Sequence, residues 1–216
     1  MTLRVAPGGI RLTVPRRTSA AQIEAFLRAS TGWVDEQRER LAPAPAPLRH
    51  GDRLAYLDGE LVLELRGGAR AAAVRRGDRL VVTTGPGGGP EGAVDAWYRR
   101  EARALIAPRA HARAESLGAS VARVAIRDQR SRWGSCSGSG TLSFSWRLVL
   151  APERVLDYVV AHEVCHLLRA DHSPAFWALV AETFPGHEEA RAWLRADGAL
   201  LHRGPAWRTR EGLSPS

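Results

Sequence analysis

Apolar residues in the first part of the chain follow the short alternating spacing of β-strands. The pattern predicts hairpins around the Pro-Gly-Gly turn of residues 7–9, around Asp58–Gly59 and within residues 71–84. Alternation places every second side chain on a face that can pack against other elements. Residues 1–90 are therefore predicted to form a β-hairpin-rich N-terminal module.

One stretch inside this module has the spacing of a helix instead. A helical insertion is predicted to begin after Ser19, a suitable N-cap, with a break near Thr31–Gly32. The prolines of residues 42–47 should end it, because proline cannot continue a helix. The glycine-rich residues 85–92 are predicted to be the linker between this module and the rest of the chain.

After this linker the spacing becomes mainly helical. A helix is predicted from Glu91 to about Leu117, kinked or divided at Pro108. Two strands are predicted next, over residues 121–128 and 141–149. In the second strand apolar and polar side chains alternate, and the predicted polar face comprises Thr141, Ser143, Ser145 and Arg147. Three more helices follow. The first is predicted over residues 152–170 and opens at Pro152, the second opens at Ser173–Pro174, and the third closes at Gly198.

The whole pattern predicts an α+β fold with a β-rich part over residues 1–90, a second domain over 91–200 and a flexible tail over 201–216. A chain of 216 residues with 44% hydrophobic residues is long enough to bury a core. No apolar stretch approaches the roughly 18 residues of a membrane span, and the N-terminus lacks the apolar core of a signal peptide. A cytoplasmic protein is expected, in which Cys136 and Cys165 are reduced.

The chain carries a formal net charge of +8, which is typical of proteins that bind acidic partners. All 31 basic residues are arginine, however, and they are spread along the chain, so a coding bias explains them as readily as contacts to phosphates. We expect at most weak, non-specific nucleic-acid binding. No pattern specifies an oligomeric state.

Three histidines and a glutamate lie close together in the stretch HEVCHLLRADHS, residues 162–173. On the helix predicted there, His162 and His166 are four residues apart, so their imidazoles project from one face and can converge on one ion. Glu163 lies on the flank of this face, beside the two histidines. The H-E-x-x-H pattern is typical of zinc metalloproteases, in which the glutamate is the general base.

A catalytic zinc site needs a third protein ligand and an open fourth position. His172 follows His166 by six residues, at the corner before the next predicted helix, and a ligand there can turn back towards the ion. The sequence therefore predicts Zn²⁺ held by His162, His166 and His172. Alternative third ligands are Glu182, His187 and Glu188. Glu182 is the strongest of these, because many His-Glu zinc sites use a downstream glutamate.

The spacing from His162 to His172 equals that of the metzincins, a class of zinc peptidases with a longer H-E-x-x-H-x-x-G-x-x-H pattern. Two features of this chain disagree with that class. Arg169 stands where the pattern has glycine, and Met1 is the only methionine, whereas a metzincin needs a methionine turn further along the chain. The sequence therefore excludes the metzincins.

Several stretches together resemble the YgjP-like family of predicted zinc metallopeptidases. They are RSRWGSCS, WRLVLAP, LDYVVAHEVCHLLRADHSPAFWALV and ARAWL, within about Val94 to Leu194. The N-terminal part shares only a general layout, including GIRLTVPRR. The resemblance implies a zincin-like catalytic domain over residues 91–200, and similarity to the SprT-like proteases that act on proteins bound to DNA. The implied zinc ligands are His162, His166 and His172, and the implied catalytic base is Glu163.

Other residues near the motif have mainly structural interpretations. The stretch RSRWGSC is predicted to be a strand beside the active-site helix, with a free edge that can pair with an extended substrate. Trp133 and Trp146 are expected to line the core or the cleft rather than to stack on nucleic-acid bases. Cys165 is expected to be packed, and Cys136 is a less favoured zinc ligand.

The sequence predicts a zinc-dependent metallopeptidase that hydrolyses protein or peptide substrates. Zinc would lower the pKa of its bound water to roughly 7, while Glu163 takes the proton and later passes it to the leaving amine. Two alternatives stay open: a DNA-associated SprT-like protease, which nucleic acid would stimulate, and a non-catalytic zinc-containing module that only binds peptides. Glu163 speaks against the second, because a purely structural site has no use for a base.

Overall fold

The structure is a computed structural model that describes residues 1–6, 9–15, 18–40, 46–129, 132–198 and 201, without the side chains of residues 35, 36 and 38–40. The strands are β1 (Thr2–Ala6), β2 (Gly9–Thr13), β3 (Arg53–Tyr56), β4 (Gly59–Gly67), β5 (Ala72–Arg76), β6 (Arg79–Thr84), β7 (Arg123–Arg127), β8 (Gly134–Cys136) and β9 (Thr141–Ser145). The helices are α1 (Ala20–Arg40), α2 (Glu91–Ser116), α3 (Glu153–Cys165), α4 (Pro174–Thr183) and α5 (His187–Ala196), with a 3-10 helix at Trp146–Leu150. These elements confirm the predicted α+β class.

The chain divides into two compact units, Met1–Ala46 and Pro47–Ser216. In the first unit, β1 and β2 form the predicted antiparallel hairpin. Ser19 caps α1 as predicted, because its hydroxyl accepts from the Gln22 amide at 3.3 Å while the Gln22 side chain accepts from the Ser19 amide at 3.0 Å. The predicted break near Thr31–Gly32 is wrong, since α1 runs through it. The predicted helix stop lies largely outside the described residues.

The first sheet of the second unit has the strand order β3-β4-β6-β5. Two antiparallel hairpins, β3–β4 and β5–β6, are joined through a parallel pairing of β4 with β6. Both hairpins were predicted and their parallel pairing was not. The first turn lies one residue earlier than predicted, because Tyr56 pairs with Gly59 and leaves Leu57–Asp58 as the loop, with Leu57 at φ 48°.

Helix α2 packs on this sheet and carries much of the core. Pro108 lies on an exposed position and does not divide the helix, contrary to one of the two predicted outcomes. The free energy gained by burying one face of α2 outweighs the cost of the proline. The buried residues on this face are Ala93, Val94, Trp97, Tyr98, Ala102, Ile106, Ala110 and Ala114. The hydroxyl of Tyr98 donates to the Ala55 carbonyl of β3 at 2.6 Å, and the Leu48 amide donates to Glu91 at 3.0 Å.

Because of these contacts, the boundary between the two units does not lie where the sequence predicted it. The predicted boundary at 90/91 and the linker at 85–92 fall inside the second unit, which begins at Pro47. The reason is that the sheet before residue 90 and the helix after it share one hydrophobic core. Glycine and proline there serve a turn between β6 and α2 rather than a connection between domains.

The second sheet has the order β7-β9-β8, so the short strand β8 lies at an edge. Strand β9 pairs in parallel with β7 and antiparallel with β8. It ends at Ser145, whose hydroxyl accepts from the Arg147 amide and caps the 3-10 helix. This turn corrects the predicted polar face, because Arg147 is only 5% exposed and forms an ion pair with Asp128.

Asp128 forms ion pairs with the buried Arg147 and with the more exposed Arg99. Its carboxylate also accepts from the Trp146 indole at 3.3 Å and from Arg99 at 3.1 Å. Burial raises the pKa of Asp128, but the hydrogen bonds and charges of Arg147 and Arg99 outweigh it and lower the pKa to about 2. Because the folded pKa lies below the unfolded value, this stabilisation is complete above about pH 4 and is lost as the pH falls towards 2.

Replacing Asp128 with alanine should lower the free energy of unfolding by about 3 kcal/mol, because Arg147 would remain buried without its carboxylate. Replacing Arg99, whose side chain is 40% exposed, should cost less than about 1 kcal/mol. Urea unfolding of both variants measures the difference. Equally small losses of unfolding free energy in both variants would show that the pairing of Asp128 with the buried Arg147 contributes little to stability.

Helices α3, α4 and α5 complete the second unit around the core. Helix α3 ends at Cys165, earlier than the sequence predicted, whereas α4 starts at Pro174 after the predicted N-cap Ser173. Of the predicted tail, Leu201 is buried and the remaining residues lie outside the described part of the chain. None of the described helices is both long and apolar enough to cross a membrane.

Candidate metal centre

The last turn of α3 and the corner before α4 bring the three predicted histidines together. His162 and Glu163 lie in the final turns of α3, and His166 occupies the C-cap position. His172 lies just before the N-cap of α4, whose Ser173 hydroxyl accepts from the Phe176 amide at 3.4 Å. The early end of α3 lets the chain turn, so that His172 faces back towards the helix.

The ring nitrogens of the three histidines face one another. The Nε2 atom of His172 lies 3.2 Å from Nε2 of His166 and 3.3 Å from Nε2 of His162. All three candidate ligand atoms lie within 4.8 Å of one another, and they form the group of metal-binding side chains found among the described residues. Glu182, His187 and Glu188, the alternative third ligands, do not belong to this group.

The protonation of the histidines suits metal binding. The Nδ1 atom of His166 lies 2.9 Å from the Arg169 carbonyl, so Nδ1 carries the proton and Nε2 keeps a free lone pair. Burial and the neighbouring His166 and His172 lower the pKa of His162 to about 4. Burial also lowers the pKa of His166. Both rings are therefore neutral near pH 7.

Aromatic side chains of α4 hold the rings in place. Phe176 is fully buried and stacks on His166, with ring centroids 4.4 Å apart and planes at 19°. The same ring meets His162 and His172 edge-on at 5.0 Å and 4.9 Å. Trp177 stacks on His172 at 5.8 Å. The structure therefore places both aromatic residues directly against the histidines.

Glu163 is the buried acid of the site. Only 6% of its surface is exposed, and this burial raises the pKa of its carboxyl to about 7, although the charge of Arg132 opposes the shift. Glu163 lies within a pocket of about 340 Å³ that also contains the three histidines. The opposite wall of the pocket is β8 with the turn after it.

Strand β8 presents part of its backbone to this pocket. The Ser145 amide donates to the Trp133 carbonyl at 2.8 Å, and the Ser137 amide donates to the Thr141 carbonyl at 3.0 Å. Because hydrogen-bonded and non-hydrogen-bonded pairs alternate in an antiparallel ladder, Ser135 faces β9 and the polar backbone groups of Gly134 and Cys136 point away from it. The strand predicted from RSRWGSC is thus an edge strand, although Arg130 and Ser131 lie outside the described residues.

The cysteines and tryptophans near the motif lie largely as expected. Cys165 and Trp146 are buried, and neither Cys136 nor Cys165 forms a disulfide. Cys136 lines the pocket on the side of β8 without joining the histidine group. Sequence reasoning missed the close approach of Gly134 to Glu163. The available signal was a glycine inside a predicted strand, which often marks a close approach of another group.

The geometry of the histidines agrees with a zinc ion. Tetrahedral zinc with Zn–N bonds of 2.0–2.1 Å separates two ligand nitrogens by about 3.3 Å. The Nε2 atom of His172 lies at such distances, 3.2 Å and 3.3 Å, from the Nε2 atoms of His166 and His162. Three imidazoles with an adjacent open pocket also match the donor set of catalytic zinc sites. The residues present therefore fit this metal.

Comparisons with known proteins give a similar solved structure and a matching family model. The chain is similar to the crystal structure of the metallopeptidase zymogen of Pyrococcus abyssi abylysin, with 23% identity and a TM-score of 0.39, over 46% of this chain and 99% of that one. No curated protein matches the chain. The family model described as YgjP-like, metallopeptidase domain matches residues 1–197, including the N-terminal part where the sequence resemblance was weakest. The chain belongs to the YgjP-like family of metallopeptidase domains.

Proposed function

We propose that this protein is a zinc-dependent peptidase in which three histidines hold the ion and Glu163 is the general base. The ligands are His162, His166 and His172. The observation that carries the proposal is the convergence of three imidazole nitrogens beside a buried carboxylate, in a pocket bounded by an edge strand. Membership of a metallopeptidase family makes a peptide bond the reacting group.

Zinc bound by these residues would supply Lewis acidity, which activates a water molecule and polarises the scissile carbonyl. Glu163 then accepts the proton of the attacking water at its carboxylate and donates it to the nitrogen of the leaving amine. Burial raises the pKa of the Glu163 carboxyl, which helps it to hold the proton between the two transfers. No covalent intermediate with the protein is needed.

The edge of β8 supports a mode of substrate binding. The polar backbone groups of Gly134 and Cys136 point away from β9, so an extended peptide can add to the sheet as a further strand. Backbone pairing of this kind holds the substrate independently of most of its side chains. The scissile bond would then lie between β8 and the face of α3 that carries His162 and Glu163.

Metal analysis combined with cleavage tests decides the proposal. The purified protein should contain zinc and should cleave members of a broad peptide and protein panel. Cleavage products identified by mass spectrometry would define the bonds that are cut. A zinc-loaded protein that binds peptides from the panel but cleaves none would contradict the proposal and support a non-catalytic zinc module.

The third ligand can be tested by itself. Replacing His172 with alanine should reduce zinc occupancy well below that of the native protein, because two imidazoles hold the ion less firmly than three. Glu182→Ala is the matched control, since Glu182 is exposed on α4 and lies outside the histidine group. Metal content of both variants after dialysis gives the answer. Loss of zinc in the Glu182 variant alone would move the third ligand to Glu182.

A further inference from the structure

Gly134 and Glu163 approach each other more closely than any larger residue at position 134 would allow. A Cβ atom added to Gly134 would lie 2.5 Å from both Cγ and Oε1 of Glu163, and 2.7 Å from its Cδ. Real Cβ contacts are essentially never shorter than 3.0 Å. The space that a side chain would need at position 134 is the space that the Glu163 side chain occupies.

The backbone of neither partner has much freedom to withdraw. Strand β8 is fixed at both ends by the backbone hydrogen bonds of Trp133 and Ser137 to β9. Glu163 belongs to a helix whose neighbouring residues Val164 and Cys165 are fully buried, and its own side chain is 6% exposed. A methyl group at position 134 would therefore act mainly on the end of the Glu163 side chain, which is the part that rotates most easily.

We propose that Gly134 is a positioning residue for Glu163: the absence of a side chain there allows the carboxylate to stand between β8 and the histidines. This inference rests on the proposed role of Glu163 as general base. The three atoms nearest to the added carbon all belong to Glu163, and none belongs to a histidine. A side chain at position 134 should therefore displace the base and leave the metal ligands in place.

The steric contact is tested by a double-mutant cycle on stability, which needs no turnover. The Tm change caused by Gly134→Ala is measured in the native background and in the Glu163→Ala background. If the added methyl group conflicts with Glu163, Gly134→Ala should lower the Tm by about 3 °C or more relative to its effect in the Glu163→Ala background, where the space is free. Equal Tm changes in the two backgrounds would overturn the proposal, because a glycine required only by the strand would cost the same in both.

The functional part is tested by a second cycle on cleavage of one peptide. Gly134→Ala should keep its zinc and lose about 10²-fold or more in kcat/KM, and it should cause no further loss in the Glu163→Ala background. Full activity of Gly134→Ala, or losses that add in the double variant, would overturn the proposal. Gly67→Ala is the matched control, because Gly67 ends strand β4 and has no atom within 4 Å of an added Cβ. That variant should behave as the native protein does.

The two cycles separate this inference from the proposed function. If Glu163→Gln retained native turnover, the role of Glu163 as base would fail. The Tm cycle would still report whether Gly134 and Glu163 compete for the same space.

Discussion

Replacing Glu163 with glutamine should lower the cleavage rate by about 10²- to 10⁴-fold while the zinc content stays unchanged. Glutamine keeps the size of the side chain but has no carboxylate that can accept a proton. The three histidines do not depend on that charge, so the ion should remain bound. Because Glu163 is buried, a neutral side chain should also leave the Tm at or above the native value. Peptide cleavage, zinc analysis and thermal unfolding on the same preparations measure all three quantities.

Glu182→Gln provides the control for this substitution. It makes the same chemical change on an exposed position of α4, outside the histidine group, and should leave cleavage within about twofold of the native rate. A Glu163→Gln variant that binds zinc and cleaves as fast as the native protein would show that another group removes the proton.

Removal of zinc by a chelator should abolish cleavage and lower the Tm by about 8–16 °C. A ligand that binds only the folded state adds about 4.1 kcal/mol of stability when its free concentration is 1,000 times Kd. In a chain of this length each kcal/mol shifts the Tm by roughly 2–4 °C. Thermal unfolding with and without chelator, followed by addition of zinc, measures the effect and its reversal.

His166→Ala is the control for this effect. That variant lacks one of the three converging nitrogens, so its Tm should respond little to chelator or to added zinc. A native protein that loses its zinc without any fall in Tm would show that the ion is not held by the folded site described here. An equal response of the two proteins would place the stabilising zinc elsewhere.

The part of the site that is local in sequence could be predicted, because helix geometry alone brings His162 and His166 to one face. The convergence of His172 depends on more than spacing. It needs α3 to end at Cys165 and the Arg169 carbonyl to hold His166, and neither feature has a sequence signal of its own. The contact of Gly134 with Glu163 depends on how a sheet packs against a helix, which periodicity does not record.

The difference between local and distant interactions also explains which parts of the fold were predicted correctly. Hairpins and caps depend on neighbouring residues, so the hairpins around residues 7–9 and within residues 71–84 and the N-cap Ser19 were predicted correctly. Glycine at position 32 and proline at 108 weaken a helix locally, but neither interrupts its helix, because local propensity is a weak preference that tertiary structure overrides. The parallel pairing of β4 with β6 joins distant segments and left no pattern in the sequence.

The packing of the first sheet against α2 sets a minimum length for a fragment of this protein that still folds. A fragment that starts near Glu91 would keep every residue of the histidine site. It would also lose the strand whose Ala55 carbonyl receives the Tyr98 hydroxyl, and the Tyr56 ring that packs 5.6 Å from Trp97. The large aromatic side chains of Trp97 and Tyr98 would then be exposed to water, and the truncated protein would tend to aggregate. A fragment that keeps this packing must therefore begin no later than about Pro47, where the second unit starts.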